Sequence, residues 1–450
     1  MAELLQREYS LPILRVSLVQ DGPTPVAGIE LVVNEHGAQR VEAGMKCALD
    51  MLGFGERIDS DDEPHLSVPP NIGAWIAARA YELTEDGPLW LHLKKPYGLL
   101  GAVPWERDVQ PLLQIPLLRL PDVLPERPRS GSTFHVALCV PSALSAAPML
   151  TSEMVPAVVR ALANGVGDRL RLHVFADIES PRTLERDLLA AGAGETIVHR
   201  PERDVSTDAP YGRHSQDAWL RWIRHEMDGQ ALDAVHFIAH GCALGTEGAI
   251  LTTSSTGRGG SQTLQAAELR TFLTQVGAPV AGFTAPYDNY SDYGLLKLVD
   301  DLGAVRAGPV LMHDPRLDQS MTALTNAYDL LSATYPGWPV GHRSLVLFAQ
   351  PRQVGSMTHG TLALEFKLGR HPMRLAPSRV VSEHLDSEDT PLWIAAAERY
   401  ISDNEAKLLR FWEQRRDRQE PTRTEFAYYN GLETALTKIR FVIDKHAELS

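Results

Sequence analysis

The stretch Asp233-Ala-Val-His-Phe-Ile-Ala-His-Gly241 is an apolar run that stops at a histidine followed by a glycine. A second apolar run, Pro279-Val-Ala-Gly-Phe-Thr-Ala-Pro286, places Ala285 at 285 − 240 = 45 residues beyond His240. Short apolar runs bounded by turn residues read as buried strands. A strand ending in His-Gly brings an imidazole to the rim of a sheet, where the glycine lets the chain turn with its N–H free.

Working outward, strands and helices alternate on both sides of this pair. Strands are expected at Phe134–Val140, Leu170–Ala176, Ala234–Ala239, Val280–Thr284, Val310–His313 and Ser344–Phe348. Between them lie helices at Met154–Ala163, Pro181–Gly192, Asp217–Met227, Leu264–Val276, Gly294–Leu302 and Ser320–Tyr335. Such alternation indicates an α/β fold, an open and mostly parallel sheet with helices on both faces. Upstream, Leu11–Val19 and Val26–Asn34 read as strands across the turn cluster Asp21-Gly-Pro-Thr-Pro25, followed by a helix near Ile72–Leu83 and a buried strand at Pro88–Leu93. Pro121–Gly131 has the composition of a linker. The organisation expected is a β-rich N-terminal region over 1–84, the α/β domain over 85–350 and a helical region over 351–450. In the last, apolar spacing gives a helical hairpin from Leu392–Arg416 and Thr424–Leu449.

In caspase-type peptidases the base histidine lies about 50 residues before the nucleophilic cysteine, and the spacing here fits. With Leu89–Glu106 and its Pro104-Trp-Glu106, Val235–Gly241, Ala267-Glu-Leu269 and Ala304–His313, the chain resembles the CHAT family over residues 85–350. These are bacterial, caspase-like cysteine peptidases related to separase. The resemblance implies a caspase-like sheet, with His240 as the base and Gly241 as the oxyanion glycine. The N–H of residue 285 would complete the oxyanion pair.

The departure lies at the nucleophile. Ala285 stands where the family has cysteine, and a methyl group cannot attack a carbonyl. Four explanations follow, in this order: an inactive homologue; a Cys→Ala replacement at position 285 that would trap a complex; chemistry moved to Cys242, next after His-Gly; and a different activity altogether. Thr284 is one residue off and should face the other side of its strand. After Ala285 the chain turns polar and aromatic, with Tyr287, Asp288, Asn289 and Asp292 on the expected rim. In a peptidase Asp288 or Asp292 would select a basic side chain; the plainer reading of Asn289, Ser291 and Asp292 is a helix N-cap. The tyrosines suit a binding surface. The function expected is a pseudo-peptidase that binds or regulates a protein or peptide partner in bacterial signalling or defence, and the alternative is an active cysteine endopeptidase.

Composition narrows the partners. The chain has 450 residues, a net charge of −14 and 44% hydrophobic residues. That balance argues against nucleic-acid or anionic-membrane binding, and no run reaches the roughly 18 apolar residues of a membrane span. Cys47, Cys139 and Cys242 are scattered and odd in number, which suits a reducing cytoplasm and supplies no disulfide framework. His236 and His240 have no third ligand nearby in sequence, so neither a metal nor a cofactor is expected. Thr256–Ser261 is glycine-rich but lacks a phosphate loop's Lys-Ser/Thr and reads as a loop. The hairpin across 390–449 offers a helix-mediated assembly surface.

Overall fold

The computed structural model describes residues 11–354 and Leu436, leaving out 22–23, 36–37, 55–64, 84–86, 96, 122–131, 142–152, 177–187, 189–194, 200–216, 254–260, 288–291, 307 and 335. Strands are β1 (Ile13–Asp21), β2 (Thr24–Glu35), β3 (Ala38–Ala48), β4 (Leu89–Lys94), β5 (Leu117–Arg119), β6 (Phe134–Val140), β7 (Leu170–Ala176), β8 (Glu195–His199), β9 (Ala234–Ile238), β10 (Gly241–Leu244), β11 (Glu247–Thr253), β12 (Ser261–Gln265), β13 (Val280–Thr284), β14 (Val310–His313) and β15 (Leu345–Phe348). The α-helices used below are α1 (Pro70–Leu83), α2 (Trp105–Val109), α3 (Val155–Val166), α4 (Ala218–Met227), α5 (Ala266–Gln275), α6 (Asp292–Gly303) and α7 (Thr322–Ser332).

Twelve strands form one sheet in the order β3-β2-β1-β4-β5-β15-β14-β13-β9-β6-β7-β8, and β10-β11-β12 form a small second sheet. From β14 to β8 all pairs are parallel. β15 runs antiparallel to β14 and parallel to β5, which continues parallel through β4 to β1. The sheet therefore holds two parallel runs of opposite sense, β1-β4-β5-β15 and β14 to β8, joined at β14 and β15, with β2 and β3 added antiparallel beyond β1. This confirms the α/β class and adds the reversal of sense. Because β1 is hydrogen-bonded to β4, residues expected to precede the α/β domain belong to its sheet. Compact units divide at Met373/Arg374 rather than near 350. Of the second unit only Leu436 is described, so the expected hairpin and its assembly surface lie outside the described residues, as does the helix at 181–192 apart from Leu188.

Each half has its own core. In the second half Val235, Phe237, Ala239, Ala281 and Phe283 present one face of the sheet to Trp219, Trp222 and Ile223 of α4, Phe272 of α5 and Leu298 of α6. Those three α4 residues lie one turn apart, giving the helix an apolar stripe. Asp217 caps it by accepting from Trp219 and Leu220 N–H at 2.8 and 3.1 Å, a contribution of about 1 kcal/mol. In the first half Ile72, Ile76 and Ala80 of α1 cover Leu14, Val16 and Ile29, one face of helix against one face of strands.

A buried polar network holds the halves together. Arg119, on β5 and fully buried, gives Nε to Glu106 Oε1 at 2.6 Å and Nη2 to Glu106 Oε2 at 3.0 Å. Its Nη1 donates to Gly101 O at 2.9 Å and to Asp300 Oδ1 on α6 at 3.3 Å, while Tyr97 donates to Asp300 Oδ2 at 3.1 Å. Burial raises the Asp300 carboxyl to about 6 against the pull of Arg119 and Lys297. The Pro-Trp-Glu segment thus supplies an anchor: Trp105 is buried with Nε1 bonded to Leu100 O at 3.1 Å, and Glu106 grips Arg119. Removing one member of a buried ion pair costs about 3–5 kcal/mol because the other charge stays desolvated. Arg119→Leu should lose about that much in urea unfolding, and the triple replacement R119L/E106L/D300L should lose less than R119L alone.

Candidate functional site

β9 and β13 are adjacent and parallel, with Phe283 beside Phe237 and Thr284 beside Ile238. Ala239 N–H extends the ladder by donating to Thr284 O at 3.3 Å. His240 and Ala285 accordingly reach the same carboxyl rim, and both are buried, at 3% and 2% exposure.

Ala285 packs in the core cluster with Ala239, Phe237 and Phe283. His240 lies beyond the last residue of β9 and gives its C=O to Leu251 N–H of the second sheet. Ala285 N–H donates to His313 O at 3.0 Å, so the second oxyanion donor expected from the sequence is committed to the ladder between β13 and β14.

Beyond His240 the chain, given no element in the sequence reading, forms β10, antiparallel to β11 with Gly241 beside Ile250 and Cys242 beside Ala249. Leu251 N–H donates to His240 O at 2.9 Å, which makes Gly241 and Ile250 a non-hydrogen-bonded pair and turns Gly241 N–H away from β11. Cys242 is half-buried and in no disulfide. Helix α6, which follows Ala285, lies directly on this hairpin. A Cβ on Gly294 would stand 2.3 Å from Cys242 C, and one on Gly248 would stand 2.2 Å from Leu298 N. Glycine is required at both points of backbone contact. The segments that follow the two strand ends are in this way fixed to each other.

The opposite side of the rim holds polar groups that the sequence reading missed. His236 is fully buried, with Nδ1 2.9 Å from Tyr328 Oη on α7 and Nε2 2.8 Å from Thr284 Oγ1. Burial, reinforced by nearby His313, pushes His236 down to about 3, so the ring is neutral. Thr284 faces away from Ala285, as expected, and its hydroxyl is bonded to this neutral ring. His313, ending β14, donates Nε2–H to Asp318 Oδ2 at 3.1 Å, while its buried Nδ1 has no protein partner among the described residues. Asp318 also accepts from Thr322 and Ala323 N–H at 3.1 and 2.8 Å and so caps α7. Burial works to raise its carboxyl, yet bonds from His313, Ala323 N–H and Ser320 hold it well below the usual carboxylate range. Asp318-x-Ser-x-Thr322 ahead of an apolar helix is an N-cap signal available in the sequence.

Of the residues expected to bind a partner, Tyr287 is 38% exposed at this rim, and Asp288 and Asn289 lie outside the described residues. Asp292 opens α6 and accepts from Arg316 Nη2 at 2.6 Å, and the same guanidinium holds Asp314 at 2.7 Å. That pairing uses Asp292 Oδ2, while its buried Oδ1 has no partner among the described residues. Among the described residues no three His, Cys, Asp or Glu side chains converge on a metal position, and no helix is long and apolar enough to cross a membrane.

Neither a family model nor a curated protein matches the chain. A similar solved structure is a ketoreductase domain from the bacillaene assembly line, 11% identical, with a TM-score of 0.22 over 57% of this chain. The match spans 65% of the ketoreductase chain, under two thirds of it. At that score it carries no argument about this protein.

Forcing α6 off the hairpin tests how tightly the rim is built. Gly294→Ala should destabilise by about 1–3 kcal/mol, the cost of overpacking. The same substitution at Gly98, where an added Cβ meets nothing within 4 Å but φ is +55°, should carry only the cost of its left-handed backbone, about 1 kcal/mol. Paired thermal unfolding curves check the difference.

Proposed function

We propose that this chain is a non-catalytic member of the caspase-like CHAT group that binds a protein or peptide segment at the rim around His240 and Tyr287. The observation that carries this reading is the state of position 285. Its methyl is packed into the core and its N–H is bonded to His313 O, so the rim has neither a nucleophile nor one of the two oxyanion donors that acyl transfer requires. The exposed Tyr287 supplies an aromatic contact at the same edge. The scattered, odd-numbered cysteines suit a reducing cytoplasm, and the resemblance to the CHAT family implies a bacterial setting in signalling or defence.

A second reading, an active endopeptidase, is supported by the His240-Gly241 pair and by a Gly241 N–H turned away from its ladder. Its nucleophile would be a cysteine restored at 285 or Cys242. One series separates the two. The full chain, Ala285→Cys and Cys242→Ser are incubated with a broad peptide library and with an electrophilic acyl-type probe. The non-catalytic reading expects no cleavage by any of the three and no His240-dependent labelling at 285 or 242. Cleavage by Ala285→Cys that is lost in A285C/H240A establishes the peptidase, and cleavage by the unaltered chain that is lost in Cys242→Ser moves the chemistry to Cys242.

A further inference from the structure

Away from the rim, three histidines form a hydrogen-bonded chain across the β6–β7–β8 edge of the sheet. His135 Nδ1 lies 3.4 Å from His173 Nε2, and His173 Nδ1 lies 3.1 Å from His199 Nε2. His199 Nδ1 lies 3.0 Å from Glu226 Oε2 on α4, and at the far end Gln230 Nε2 lies 3.0 Å from His135 Nδ1. The rings are stacked, with centroids 5.7 and 5.4 Å apart, and Phe175 lies flat on His199 at 4.4 Å.

Each contact needs one proton, and the sense in which the bonds run sets the charge. With Gln230 donating, His135 Nδ1 accepts and His173 Nε2 must donate. A neutral His173 then has a bare Nδ1, which accepts from His199 Nε2–H. Glu226 is an acceptor, so His199 Nδ1 donates as well. One ring, His199, holds two protons beside the carboxylate, and the other two are neutral. With the Gln230 amide turned over, the bonds run in the reverse sense: His135 Nδ1–H to His173, His173 Nδ1–H to His199, and His199 Nδ1–H to Glu226, with no ring charged. The two arrangements differ by one proton, which enters at His135 Nε2 and is passed along from ring to ring; only N–H bonds form and break.

We propose that His135, His173, His199 and Glu226 are a one-proton switch that fastens the edge strand β8 to the sheet, accepting a single proton at the Glu226 end and releasing β8 when a second arrives. A second proton would set two charged rings next to each other and point two N–H groups at one another. Among the described residues β8 ends the sheet and pairs with β7 alone. The other charged groups facing the chain are Arg171 and Glu195, which form an ion pair, and Asp233, which accepts from His135 N–H. In agreement, burial, then His199 and His135, push His173 down to about 4, and burial together with Arg171 lowers His135 against Asp233 and Glu195. The sign follows from linkage. An unfolded His173 takes its proton near 6.5 and the folded one near 4, so its stabilisation is complete above 6.5 and is lost as pH falls through about 4.

The test combines nitrogen-15 histidine NMR with amide exchange of the full chain between pH 7.5 and 4.5, rates being corrected for intrinsic chemistry. The expected result is that the ring which takes up the added proton is His199, with His173 as the neutral Nε2–H tautomer. On acidification β8 amides should lose protection at least tenfold while those of β9 and β13 do not, and the His173 signal is followed alongside. Glu226→Gln, at a half-buried position, should abolish the doubly protonated His199 signal, and His173→Gln should flatten the pH dependence of β8 exchange. A His173 that is doubly protonated at pH 6, an imidazolium that persists in E226Q, or β8 protection independent of pH would each overturn the proposal. E226Q decides the matter if His173→Gln does not fold.

Discussion

A fully buried guanidinium sets the terms for this structure. Arg119 cannot give up its charge, so the interior around it must provide acceptors for a side chain removed from water. Glu106, Asp300 and two carbonyl groups do so, and they come from two stretches of the chain, 101–106 and α6. The joint between the two half-sheets is therefore specific. A one-residue slip of β5 would bring a leucine to the carboxylates and turn Arg119 elsewhere. Asp300 extends the constraint to the rim, because it belongs to the same helix that carries Gly294 against Cys242.

At the rim, geometry argues more strongly than residue type. The strand ends adjoin, as a dyad requires, yet the methyl of Ala285 is packed into the core and its backbone N–H is bonded to His313. Restoring a thiol at this position would place sulfur among Phe237, Phe283 and Ala239, an apolar setting that disfavours thiolate. The polar groups His236, Thr284, His313 and Asp318 lie on the other side, and the hydrogen bonds found there stabilise neutral histidine and cap a helix.

Much of the second half-sheet could be read directly from the chain. Phe134–Val140, Leu170–Ala176, Val280–Thr284 and Val310–His313 are strands residue for residue, because both faces are covered and the run is continuously apolar. β3 was missed for the opposite reason: Arg40, Glu42 and Lys46 belong to a strand that, among the described residues, ends the sheet and has a solvated face. β10 to β12 were missed, with Leu264 and Gln265 of β12 read as the start of a helix, since their register depends on α6 pressing on Gly248 and Gly294, a long-range contact. The histidine chain was invisible because it needs the register of three strands at once. The expected acid Asp292 proved to be paired with Arg316, a residue 24 positions later that no local pattern connects to it. The direction of β15 likewise follows from its neighbours and from nothing local.

The reversal of sense at β14 and β15 also bears on how the chain is made. β5 finds its partner β15 only through Phe348 beside Arg119, so on the ribosome the first half-sheet waits for more than two hundred further residues before its inner border is covered. Until then β5 and β14 present raw edges, the kind of template on which nascent chains aggregate. The Arg119 cage, completed in part by Asp300, would form before that final closure, giving the early half something to hold while it waits.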